Sequence, residues 1–139
     1  MSRTGALWKL DRHTLAKHTI LRKYLDAWLP ILGGGAYASG DVILIDAFAG
    51  PGRYTGDEEG SPLIMLRAYL EHSGSITARP HYFFIEENDA RVAHLRDELA
   101  EIDIPAHVEV EVIHSSFDPA FPRGSSALSR TTHIQCYAA

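Results

Sequence analysis

The chain has 139 residues, 45% hydrophobic and 22% charged, a balance that supports one globular domain or part of one and argues against disorder. It contains no apolar run of about 18 residues, its opening lacks the apolar core and small-residue site of a secretory signal, and its single cysteine, Cys136, excludes an internal disulfide or a cysteine-rich metal site. The formal charge of −5 is uneven: residues 1–23 hold six basic residues and one acid, while the remainder holds seven basic and seventeen acidic ones. A cytoplasmic location without membrane contact is expected, and the basic opening reads first as a solvated helix face and second as a partner or nucleic-acid surface.

Residues 13–32 carry Leu21, Leu25, Trp28 and Leu32 at steps of 4, 3 and 4, which predicts an amphipathic helix that Pro30 ends or kinks. Trp8 and Trp28 are expected to pack. "GGGAYASGD" follows as a connector. "VILI", residues 42–45, is short, β-branched and flanked by breakers, so it predicts a strand buried on both faces. After the stretch "DAFAGPG" comes a polar excursion, "RYTGDEEG", and then Ser61 as N-cap with Pro62 opening a second helix, "PLIMLRAYLEHS". "HYFFIE" predicts a second buried strand ending in Glu86. Asn88 caps a third helix, in which Val92, Leu95, Leu99 and Ile102 share a face. "HVEVEVI" alternates apolar and acidic residues, as in a strand with one exposed face. Helix and strand alternate throughout, the pattern of an α/β domain with a parallel sheet.

The loop after the first strand lies where open α/β sheets bind ligands, and Gly50 and Gly52 allow a tight turn and a close backbone approach. A phosphate-binding P-loop needs G-x-x-x-x-G-K-[ST]. Here Gly52 and Gly56 are wrongly spaced and no Lys-Ser/Thr pair follows. A dinucleotide loop needs a third glycine where Thr55 stands, and a helix at once, whereas this helix starts near Ser61. S-adenosylmethionine, with a cationic sulfonium and no phosphate, suits acids at strand ends. Asp46 ends the first strand, and Glu86 ends the second, where a carboxylate can accept both ribose hydroxyls. "DAFAGPG" has the D-x-F-x-G-x-G form of methyltransferase nucleotide loops.

"HTLAKHTILRKYLDAWLPIL", "IDAFAGPGRYTGDEEGSPLIML" and "FFIEEND" together resemble the three-Cys-motif partner protein family (TcmP) over roughly residues 8–120. That bacterial family is similar to class I S-adenosylmethionine-dependent methyltransferases, which implies a Rossmann-like fold. The resemblance implies that Asp46, Phe48, Ala49, Gly50 and Gly52 form the cofactor loop and that Glu86 holds the ribose. It also implies that Ser116 meets the adenine edge and Phe117 its face, and that Arg53 and Tyr54 close over the ligand. His13, Thr14 and Lys17 match the opening motif and would contact cofactor or substrate. The implied partner is a cysteine-rich protein, in keeping with the lone Cys136 here.

Two functions are therefore expected in competition: a methyltransferase-like domain, with a nucleic-acid base as one acceptor class, and a non-catalytic interaction subunit of the cysteine-rich partner. The acidic bulk of the chain opposes strong independent nucleic-acid binding. The eight histidines show no metal spacing, and no catalytic residue is assigned. The expected organisation is a helical segment over 1–35, a cofactor-binding portion over 36–122 and an irregular tail over 123–139. With only three strands (42–45, 81–85 and 108–113), the sheet is expected to be an incomplete half, as in a truncated or frame-shifted chain. "VILI" would then have an unpaired edge, and the chain alone would be inactive.

Overall fold

A computed structural model describes residues 9–33, 40–116 and 132–136, the last at the level of the backbone. Helix α1 (Arg12–Gly33) is capped by Asp11, whose Oδ1 accepts the Thr14 amide at 2.8 Å. That bond holds the Asp11 carboxyl below its ordinary pKa. Pro30 lies inside α1 and does not end it. Strands β1 (Asp41–Asp46), β2 (Arg79–Glu86) and β3 (Glu109–His114) alternate with helices α2 (Ser61–His72) and α3 (Asp89–Ala100). Strand β4 (Thr132–Cys136) follows.

All strand pairs are parallel, in the order β3-β2-β1-β4. The chain steps from β1 to β2 to β3 in one direction, so right-handed crossovers place α2 and α3 on the same face. Leu25 and Leu29 of α1, Leu63, Met65 and Leu66 of α2, and Leu95 and Leu99 of α3 share one core with Val42, Leu44, Tyr82 and Phe84. The Tyr82 hydroxyl donates to the Met65 carbonyl at 3.1 Å, so the ring is buried without stranding a polar group. On the other face Ile43, Ile45, Phe83 and Ile85 form a second cluster, to which no helix contributes among the described residues. The "VILI" strand is thus apolar on both sides because both sides are buried. In β3 the exposed Glu109 and Glu111 alternate with Val110 and Val112, which pack on the helix-side core.

Three expectations are corrected. The sheet has a fourth strand: Val42, Ile43, Leu44, Ile45 and Asp46 pair with Thr132, His133, Ile134, Gln135 and Cys136. The 123–139 tail is therefore not irregular throughout, and β1 is an interior strand, not an open edge. "THIQC" carries no apolar run, and its place in the sheet shows only in its pairing with β1. Second, the buried side of α1 runs through Leu21, Leu25 and Leu29, while Trp28 is 40% exposed. Polar ties fix that rotation: Arg22 bonds Asp26 and Glu71, and His72 Nε2 meets Asp26 Oδ1 at 2.9 Å, linking α1 to α2. Third, the N-cap of α2 is Gly60, and Ser61 is its first helical residue. No described helix is long and apolar enough to cross a membrane.

Candidate functional site

Strand order reverses between β1 and β4, and the crevice outside the carboxyl ends of strands at such a point is the usual ligand site of open α/β sheets. The loop of residues 47–60 leaves β1 there. Asp46 and Glu86 close the neighbouring strands β1 and β2 and are 0% and 5% exposed.

Asp46 braces the turn from below. Its Oδ1 accepts the Phe48 amide at 3.2 Å and its Oδ2 accepts the Ser61 hydroxyl, fastening the start of the loop to the start of α2. Burial pushes its carboxyl up from 3.8 to about 6; the two hydrogen bonds oppose that rise, and the nearby Glu86 carboxylate adds to it. Glu86 spans the turn. Oε2 accepts the Gly50 amide at 2.8 Å, Oε1 accepts the Asn88 amide at 3.0 Å, and the Arg91 guanidinium lies 3.6 Å from Oε1. Each carboxylate oxygen has a further lone pair beyond its one amide. The Ala49 amide donates to the Ile85 carbonyl at 3.0 Å, sewing the loop to β2.

Gly50 and Gly52 have φ of +72° and +85°, backbone that L side chains rarely adopt. At Gly52 a Cβ would stand 2.9 Å from Leu95 Cδ1, so this glycine lets the loop lie against α3. His94 Nδ1–H donates to the Pro51 carbonyl at 2.7 Å, and Arg53 Nε donates to Glu98 Oε2 at 3.0 Å. The excursion closes on itself through an antiparallel bridge between Arg53 and Glu59, and the Gly60 amide returns to the Gly52 carbonyl at 2.7 Å.

The structure therefore gathers Asp46, Phe48, Ala49, Gly50 and Glu86 around one turn, with the Phe48 ring 57% exposed. Ser116 follows β3 one residue after Ser115, whose amide donates to the Glu86 carbonyl at 3.0 Å, and Ser116 itself is exposed. Phe117 lies outside the described residues. Arg53 is held by Glu98 and the Asp57 carbonyl, and Tyr54 is buried with its ring 5.8 Å from that of His18. Helix α1 thus reaches the loop through His18, while His13, Thr14 and Lys17 occupy its first two turns. Burial pushes the His18 imidazole down toward its neutral form.

Ser61, His94 and Glu98 support the site without having been singled out for it in the sequence. His94 and Glu98 stand at helical i, i+4 spacing on a helix whose apolar face was legible, the one signal that could have raised them. The chain has no match among protein-family models, curated proteins or solved structures.

Proposed function

We propose that this is a Rossmann-like domain of class I methyltransferase type that binds S-adenosylmethionine at the turn after β1, as the resemblance to the three-Cys-motif partner family implies. The observation that carries the proposal is the Glu86 carboxylate bonded to the Gly50 amide, which puts a strand-end acid and a left-handed glycine in one small site.

The residues present suit that ligand. Two buried carboxylates at adjacent strand ends favour a cation, and among the described residues Asp46 is bonded by an amide and a hydroxyl, neither of them cationic. The spare lone pairs of Glu86 would accept ribose hydroxyls, the exposed Phe48 ring offers apolar contact, and Ser116 would meet the base edge. S-adenosylmethionine, when bound, supplies an activated methyl group. The part played by this chain is to hold and orient: Asp46 and Ser61 keep the turn in shape, and α3 pins its far side.

Calorimetric titration with S-adenosylhomocysteine, and with NADH as the control, tests this. Binding of the first and not the second is expected; binding of NADH alone, or of neither, overturns it. The second function, an interaction subunit serving a cysteine-rich partner, is favoured by one observation, the exposed apolar ridge of α1. Labelled methyl transfer to DNA, RNA and protein, with and without such a partner, separates the two.

A further inference from the structure

The two buried carboxyls at the carboxyl edge of the sheet have different surroundings. Asp46 is in register with Phe84, so Glu86 stands two residues further along the same face of the neighbouring strand. Glu86 has a cation beside it, since the Arg91 guanidinium lies 3.6 Å from its Oε1, and it accepts the Gly50 and Asn88 amides. Asp46 is 0% exposed, and its oxygens meet only neutral donors among the described residues, the Phe48 amide and the Ser61 hydroxyl.

The elements packed around Asp46 bring it no positive charge among the described residues. The first turn of α2 is Ser61, Pro62, Leu63 and Ile64, and the register partner in β4 is Cys136. In the loop, Arg53 is bonded to Glu98 and the Asp57 carbonyl. In α3, His94 is bonded to the Pro51 carbonyl, and in α1, His18 lies against the Tyr54 ring. Burial and the Glu86 carboxylate both oppose a charge on Asp46, and only its two hydrogen bonds support one.

Those two bonds serve either form of the group. A hydroxyl donates to a carboxylate or accepts from a carboxylic acid, so Ser61 can stay bonded to Oδ2 in both states. The Phe48 amide needs one lone pair of Oδ1, which both forms keep. The turn can therefore hold its shape while the charge beneath it changes by one.

We propose that Asp46 is a proton-exchange group: it carries a proton when the site is empty in mild acid, and it gives that proton to solvent when the cationic S-adenosylmethionine enters. The proposal rests on the cofactor reading above and adds the regulation of that site. A positive charge nearby favours the carboxylate, so ligand and proton compete, and acid weakens binding.

The test is calorimetric titration of the 139-residue protein with S-adenosylmethionine from about pH 5 to about pH 7, each pH in two buffers of different ionisation enthalpy. Affinity should rise about tenfold across that range, with about one proton released per ligand at the acid end and almost none at the other. Asp46→Asn should flatten the rise and remove the proton release. Ser61→Ala, which deletes a bond that favours the carboxylate, should move the rise to higher pH. Difference infrared spectra of the wild type near the acid end should lose a protonated-carboxyl band as ligand is added, a readout that needs no variant. Binding that is independent of pH, binding without proton release, or a rise that survives Asp46→Asn overturns the proposal and leaves the cofactor reading standing. No binding of S-adenosylmethionine anywhere in the range overturns both.

Discussion

At the scale of single residues, Asp46 is the costliest group in the site, a carboxyl without solvent whose partners are a hydroxyl and an amide. Its folded pKa of about 6 lies above the ordinary 3.8, so the folded state holds its proton more tightly than the unfolded chain does. Stability from this group is therefore full below pH 3.8, falls as pH rises toward 6, and stays low above it. The loss amounts to about 3 kcal/mol. Asp46→Asn removes that titration, while its amide can still accept from Phe48 and donate to Ser61. Urea unfolding across this pH range should show the wild type losing stability relative to Asp46→Asn, and parallel curves would contradict the buried charge. Glu86→Ala should weaken S-adenosylhomocysteine by roughly 1.5–3 kcal/mol, the range for hydrogen bonds to a charged group. Glu87→Ala should change little, because Glu87 is exposed and lies one residue past the end of β2. Calorimetry on both variants decides which of the two acids belongs to the site.

At the scale of elements, the loop is shaped as much by α3 as by β1. Gly52 meets Leu95, Pro51 meets His94, and Arg53 meets Glu98, all within about one turn of one helix. Gly52→Ala adds about 1–2 kcal/mol of left-handed backbone strain to a clash with a fully buried leucine. Leu95→Ala alone should cost about 2–5 kcal/mol as a core truncation. The double variant should be less destabilised than the sum of the two, because removing Leu95 Cδ1 vacates the space the new methyl needs. Strict additivity in denaturant melts would show that backbone strain accounts for the whole effect at Gly52.

At the scale of the whole molecule, β4 turns β1 from an edge into the interior of the sheet. Deleting residues 132–139 would leave Val42–Asp46, apolar on both faces, with an unpaired ladder. Such an edge recruits other chains. The shortened protein should self-associate in sedimentation velocity at concentrations where the full chain does not. Equal behaviour of the two would mean that β4 does not protect β1 in solution. The other margin of the sheet carries its own guard, since Glu109 and Glu111 of β3 face solvent along the edge.

The sequence by itself determined the alternation of helices and strands. Each of those signals is local: a four-residue apolar run between breakers, an acid-apolar alternation, and a capping Asn88 whose side chain does accept the Arg91 amide. It also placed Asp46, the glycines and Glu86 at strand ends, because a buried parallel strand must deliver its last residue to the sheet's carboxyl edge. Tertiary structure alone decided the rest. α1 has two apolar lines, and periodicity cannot choose between them; the ties from Arg22 and Asp26 to α2 bury Leu25 and Leu29 and leave Trp28 outside. Ser61 looks like a helix cap until Asp46, fifteen residues earlier, is brought beside its hydroxyl. β4 carries too few apolar residues to declare itself, since what makes it a strand is hydrogen bonding to β1, some ninety residues away in the chain. Pairing over that separation is a property of the folded molecule, and no local run of side chains encodes it.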